Sequence, residues 1–511
     1  MTDIAQANGL TRPAAWLGFL AMCLGMFMAI LDIQIVASSL PEIQRALDIP
    51  NDSLSWVQTA YLIAEIVAIP LTGRLTRLLT LGGLFAAAVT GFSLASLGCA
   101  LSGGYASLIL CRVIQGFCGG AVIPTIFTAV FVLFPERAQV LATTIAGIFA
   151  VLAPTLGPAV GGYITETFSW HWLFLINLAP GVAVVAIVGK LVRVGRPDWS
   201  LLKRLDYASV AFAAVFLASL EILLKEGPKR EWHGLFVTAL VAVLLVSGFA
   251  AVRQCLKSRA PLVDLRAFLN RTFTVGCAYS FVLGIGLYGS VYLLPLFLGY
   301  VRHHTPLEIG EIMIVGGVAQ LMVAPVAALA EKRYHPILVT GVGYALFAAG
   351  LFGNGFTAGD TDFSGLFWPQ VLRGAGLMLC ILPTATMALE GRAGDVLADA
   401  SALFNLMRNL GGAIGIALVD TILEQRPAAH AATLVERLQA GDVATARFVG
   451  LPPLISFGRM TGAAAKKFAA PYVEQAALVL SFNEAWLLLG AIFALSLLIL
   501  PLGRRHAARA R

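Results

Sequence analysis

Three ionisable side chains stand where the sequence gives them almost no polar company. Asp32 interrupts the apolar stretch MFMAILDIQIVASSLPEI, Glu65 lies inside AYLIAEIVAIP, and Arg112 lies inside LILCRVIQGFCGG. An ionised Asp near the centre of a membrane helix costs about 2.5–3.5 kcal/mol on insertion scales. Such a residue calls for a partner or a task. Burial favours the neutral form of a carboxyl group and a nearby cation favours the charged form. An acid balanced between the two exchanges protons as its surroundings switch. Asp32 and Glu65 are the candidates for that chemistry. The other readings are an Asp32 that reaches the outer interface from a helix end or is only a polar lining, and a Glu65 that stays protonated. Arginine does not release its proton, so Arg112 needs an acid or several carbonyls, unless it snorkels to the near interface. With Asp32 and Glu65 it is placed to form one internal cluster on the first, second and fourth helices. Arg373 and Arg408 pose the same problem later in the chain. Arg408, in FNLMRNLGG, has the neutral amides Asn405 and Asn409 beside it.

The elements that must hold these residues are membrane helices. The chain has 511 residues, 59% hydrophobic and only 12% charged, about half the charged fraction of a soluble protein. Apolar runs of about 20 residues recur along it, each long enough to cross a hydrocarbon layer as a helix. The period-2 pattern of a membrane barrel is absent, as is a cleavable signal peptide. Helices are predicted at 15–37, 54–73, 81–101, 105–134, 139–164, 170–192, 207–224, 234–253, 273–299, 307–329, 336–356, 366–389, 400–423 and 478–502. Placing the N-terminus in the cytoplasm puts most Lys and Arg in cytoplasmic loops and tails, with dense clusters at Lys190 to Arg204, Arg253 to Arg271 and Arg504 to Arg511, as the positive-inside rule requires. The net charge of +7 reflects this orientation and not a nucleic-acid partner.

Three pairs of segments share an offset of about 255 residues: IPLTGRLTR with APVAALAEKR, RVIQG with QVLRG, and LGPAVGG with LGGAIGI. The fold class that follows is an all-α membrane protein of two six-helix halves with two helices between them. Residues 1–193 form the first half, 194–272 hold helices 7 and 8, and 273–511 form the second half with a long outside loop at about 425–477. Halves of this kind rock about a site near the bilayer midplane. LAPTLGPAVGGY places Pro154, Gly157, Pro158, Gly161 and Gly162 in one apolar span. There a proline bends the helix and glycines admit a close neighbour. Phe27, Gln34, Tyr61, Tyr288, Tyr292, Trp368, Phe404, Asn405 and Arg408 are the candidates for lining a substrate cavity, although Trp and Tyr at helix ends also serve as interface anchors. The seven cysteines make no CxxC pair, His303–His304 is too short for a metal site, and no HExxH or GxSxG motif suggests an enzyme.

LDIQIVASSLPEI, WVQTAYLIAEIVAIPLTGRL, RVIQGFCGG, LAPTLGPAVGGYI and WHWLFLINLAPGV resemble the signature segments of the fourteen-helix drug:proton antiporters of the major facilitator superfamily, and most closely the EmrB type. The resemblance extends over nearly the whole chain. It implies a proton-driven exporter of hydrophobic or amphipathic compounds in the bacterial inner membrane, without a cofactor. A substrate-specific exporter of a metabolite, siderophore or lipid-like molecule is the alternative. The resemblance also implies residue roles. Asp32 matches the first-helix acid tied to proton coupling, Arg112 the arginine linked to it, and Gly157, Pro158, Gly161 and Gly162 the antiporter hinge. The outside loop would face a periplasmic adaptor protein that docks an outer-membrane channel. The family's loop after helix 2 reads G-x-L-x-D-R-x-G-R/K, whereas this chain has GRLTRLLTLGG, with Arg77 in the place of the acid. The usual charge lock of the inward gate therefore lacks its acid at that position.

Overall fold

The computed structural model describes residues 12–50, 54, 56–204, 206–258, 265–389, 392, 394–451 and 463–500. Among them every regular element is a helix, and thirteen helices are long and apolar enough to cross a membrane. A chain in hydrocarbon has no water to satisfy its backbone, and a helix satisfies its own.

In chain order, α1 (Arg12–Ser38) leads to the short α2 (Leu40–Leu47). α3 (Trp56–Ala68) passes through a 3-10 turn at Ile69–Leu71 into α4 (Thr72–Leu79). Pro70 sits in that turn, and a proline inside a helix removes a backbone donor. The second expected span is thus segmented, and counting it as one crossing adds it to the thirteen. α5 (Leu81–Ala100) follows, then α6 (Tyr105–Gly120) with α7 (Val122–Leu133), α8 (Glu136–Thr167), α9 (Trp172–Leu175) and α10 (Leu178–Leu191). Next come α11 (Tyr207–Glu226) and α12 (Leu235–Lys257), then α13 (Arg271–Tyr300), α14 (Pro306–Arg333), α15 (Pro336–Asn354), α16 (Phe363–Leu389), α17 (Gly394–Gln439), α18 (Val443–Val449) and α19 (Ala463–Ser496).

One core gathers Phe19, Met22, Phe85, Ile126 and Val184 from α1, α5, α7 and α10. Another gathers Phe297, Tyr344, Phe347, Trp486 and Phe493 from α13, α15 and α19. The sequence repeats build the same crossings twice. A Cβ on Gly116 of α6 would come within 2.1 Å of the Tyr61 carbonyl on α3, and one on Gly374 of α16 within 2.3 Å of the Gly316 carbonyl on α14. Gly157 of α8 packs likewise against Gln34 of α1, and Gly411 of α17 against Phe281 of α13.

A third cluster joins the two sets of helices, with Ile66, Ile69 and Phe127 meeting Leu397, Leu403 and Phe404. The Ser401 hydroxyl donates to the Pro124 carbonyl at 2.9 Å. Arg77 Nη2 donates to both carboxylate oxygens of Asp399, at 2.8 and 2.9 Å. These contacts lie toward the end of the bundle that carries the basic loops. α11 and α12 pack on each other, and α11 also rests on α3.

The region expected as a loop at about 425–477 is largely helical. α17 runs on to Gln439 and α19 begins at Ala463. Their extensions pack with α18 and the residues after it, through Leu434, Leu438, Val449, Leu451 and Val473. The run AAHAATLVERLQ is rich in strong helix formers, and Pro427 falls inside the helix without ending it. Pro452, Pro453 and the basic tail Arg504 to Arg511 lie outside the described residues.

Candidate functional site

α1 carries Asp32 into the interior, where both Asp32 and Arg112 are 0% exposed. Arg112 Nη1 donates to Asp32 Oδ2 at 2.6 Å and to Gln115 Oε1 at 2.7 Å. Asp32 Oδ1 accepts from Gln115 Nε2 at 2.9 Å and from Asn177 Nδ2 at 2.7 Å. Ser96 closes the network, accepting from Gln115 at 2.8 Å and from Asn177 at 3.3 Å. Arg112 Nε donates to the Val57 carbonyl at 3.0 Å, and the guanidinium lies 4.4 Å from the centre of the Tyr61 ring. Its remaining nitrogen, Nη2, is buried without a hydrogen-bond partner. Four helices, α1, α3, α5 and α6, and the turn before α10 therefore meet in one network around Asp32 and Arg112.

Removing an ion from water costs several kcal/mol even after relaxation. A hydrogen bond to a charged group returns about 1.5–3 kcal/mol. Asp32 has three such donors and Arg112 has an acid, an amide, a carbonyl and an aromatic face, so the pair is held as ions only by the full set. Adding a proton to Asp32 removes the negative charge and leaves Arg112 buried among neutral groups.

Gln115, Asn177 and Ser96 were not anticipated from the sequence. Gln115 had a signal, since it stands one turn from Arg112 in the repeated segment RVIQG. Asn177 was visible only as an amide in the apolar run LFLINLAP. Glu65 stands apart from the network. It is 7% exposed, lies in the field of Arg112 and Glu221, and makes no hydrogen bond or ion pair among the described residues.

Pro154, Gly157, Pro158, Gly161 and Gly162 all lie within the single helix α8. Ser39 Oγ donates to the Gly161 carbonyl at 3.4 Å, which ties the end of α1 to that stretch. The cavity candidates separate. Phe27 meets Phe149 of α8 edge-on, and Gln34 abuts Gly157. Tyr61 is fully buried over Arg112. The Tyr288 hydroxyl donates to Asn409 at 3.1 Å and the Tyr292 hydroxyl to Asp420 at 2.7 Å. Phe404 and Asn405 are buried, and Asn405 donates to the Ser401 carbonyl on its own helix. Arg408 lies over Phe127 and Phe404, with Nε and Nη2 lacking hydrogen-bond partners. Trp368 is 67% exposed and touches Phe367. Arg373 donates to the Ser290 carbonyl at 3.3 Å. Among the described residues no group of His, Cys, Asp and Glu has the arrangement of a metal site.

An ion pair answers the sequence departure at Arg77. The basic side chain on α4 meets an acid, Asp399, supplied by α17, so the two sets of helices are still joined by an ion pair with the acid on the other side.

The family model described as Major Facilitator Superfamily matches residues 22–416. The chain is 40% identical over 419 residues to the "Colistin resistance protein EmrB" of Acinetobacter baumannii, covering 81% of each chain. It is 30% identical over 480 residues to the "Multidrug export protein EmrB" of Escherichia coli K12, covering 93% of this chain and 92% of that one. Among solved structures, the human organic anion transporter MFSD10 superposes with a TM-score of 0.58 at 14% identity, over 94% of this chain and 99% of that one. From its apolar helices, duplicated crossings and matched family model, the chain belongs to the Major Facilitator Superfamily, as a multi-pass membrane transporter.

Proposed function

We propose that the chain is a proton-coupled antiporter that exports hydrophobic or amphipathic toxic compounds across a bacterial inner membrane. The observation that carries this reading is the fully buried Asp32–Arg112 pair with its amide partners. The relatives, a colistin resistance protein and a multidrug export protein, support the export direction and the substrate class. A proton arriving from outside neutralises Asp32, Arg112 loses its charged partner, and the balance between inward and outward states shifts. Each proton moving down 100 mV supplies about 2.3 kcal/mol, so one or two protons drive a substantial gradient and no cofactor is needed.

In this reading residues 1–193 and 273–511 rock against each other, with 194–272 attached between them. The stretch from Pro154 to Gly162 on α8 flexes against α1. Phe27, Gln34, Tyr288 and Tyr292 contribute to the cavity, and Glu65 is a second proton-carrying acid. The helical extensions of α17 and α19 face a periplasmic adaptor, which docks an outer-membrane channel.

Proteoliposomes with an imposed pH gradient test the reading. Several unrelated lipophilic dyes should move against their gradients, and an ionophore that collapses the pH difference should stop them. Transport that ignores the ionophore, or that is confined to a single compound, would count against it.

A further inference from the structure

α11 is one of the two helices that interrupt the duplicated pattern, and it presses on the N-terminal set. Its Leu217 shares one buried cluster with Ile66 and Ile69 of the α3 run. Glu221 stands one helical turn beyond Leu217 on the same stripe, and Glu65 immediately precedes Ile66. α3 packs on α11, and the two carboxylates lie within electrostatic range of each other. Glu65 is more than nine-tenths buried, with no hydrogen bond or ion pair among the described residues. Glu221 Oε2 is likewise buried without a hydrogen-bond partner.

The surrounding charges do not settle the pair. Arg112 on α6 is paired with Asp32, and its field also reaches Glu65 without a hydrogen bond to it. Lys225, on α11 itself, lies in the field of Asp420 on α17 as well as that of Glu221. Tyr288 on α13 lies in the field of both Glu65 and Arg408 of α17, and its hydroxyl is bonded to Asn409. Two largely buried carboxylates this close disfavour joint ionisation unless a cation joins them. They then titrate as a unit.

We infer that Glu65 and Glu221 form a single site for one monovalent cation on the seam between α3 and the inserted helix α11. The occupant is either a proton or the positively charged nitrogen of a lipophilic substrate. This deepens the proposed export function and rests on it for the identity of what arrives. It also gives α11 a task that a bundle lacking the inserted helices could not perform in this way, because Glu221 would be missing.

The test uses the purified full chain, radiolabelled tetraphenylphosphonium as the probe, and proton uptake after a jump from alkaline to mildly acidic pH. E65Q and E221Q should each weaken tetraphenylphosphonium binding about tenfold or more and flatten its dependence on pH. The double variant should be no worse than either single one, because the site is shared. If the wild type does not bind the probe, but both single variants reduce proton uptake without adding in the double variant, the occupant is the proton. If E221Q leaves both probe binding and proton uptake at wild-type values, the inference is overturned, and effects that add fully in the double variant overturn the shared site. Unchanged detergent melting temperatures for the isosteric variants separate loss of the site from loss of the fold. D32N is the control for the function: a D32N protein that still couples protons to transport contradicts the proposed role of Asp32 without altering the E221Q result.

Discussion

Asp32 was legible as a chemical residue because a lone acid in an apolar helix has few bland uses, and Arg112 was legible as its partner for the same reason. The amides were not. Neutral side chains such as Asn177 and Gln115 carry a smaller insertion cost than charges, and their roles arise only when helices distant in sequence meet. Asn177 donates to the same carboxylate as Gln115. Asn177→Leu removes one donor to a charged carboxylate, worth about 1.5–3 kcal/mol, so proton-driven uptake should fall about tenfold or more. Undiminished uptake would remove Asn177 from the network. Arg112→Lys should be equally damaging, because an ammonium lacks the planar fork that reaches Asp32, Gln115 and the Val57 carbonyl together.

Most helices were legible from apolar length alone, and the repeats pointed to the paired crossings. The segmentation of the α3–α4 run escaped, because one proline inside an apolar span also fits a gentle bend. The helical extensions of α17 and α19 escaped because prolines and polarity suggested a loop. The glycine crossings can be tested by contrast. Gly116→Ala and Gly374→Ala place a methyl group against a backbone carbonyl, 2.1 and 2.3 Å away before relaxation. Overpacking of this kind costs about 1–3 kcal/mol. Both variants should melt earlier in detergent, whereas Gly103→Ala, with nothing within 4 Å, should not. In the second set of helices, the loop before α16 is tied down by Arg302, which donates to Asp362 at 2.8 Å. That bond and the Phe363 backbone N–H hold the Asp362 carboxyl below its usual range. A depressed carboxyl contributes stability above its unfolded value of about 3.9, and that contribution is lost as pH falls through the folded value. Asp362→Asn should therefore melt earlier than the parent at pH 7 and at pH 5. The gap should close only at pH values below the ordinary carboxylate range.

The two-part construction and the export reading both came from patterns spread over the chain, so they were visible without coordinates. The gate was not, because Arg77 looked like the loss of a charge lock until its partner appeared 322 positions away. The Arg77–Asp399 pair is about one-fifth exposed on each side, between the limits where an ion pair contributes almost nothing and where breaking it costs 3–5 kcal/mol. Asp399→Asn should weaken closure at that end by about 1–3 kcal/mol. A crosslink between cysteines placed across the seam should then form less readily, and exchanging the two charges, Arg77→Asp with Asp399→Arg, should restore it. Closure unaffected by the single change would show that apolar contacts alone seal the gate. Above all, the account requires that protons move through Asp32. In proteoliposomes carrying an internal pH probe, adding substrate to the wild type should drive a counterflow of protons. Asp32→Asn should still bind substrate yet show no such flow. A D32N protein that moves protons at the wild-type ratio to substrate would contradict the account.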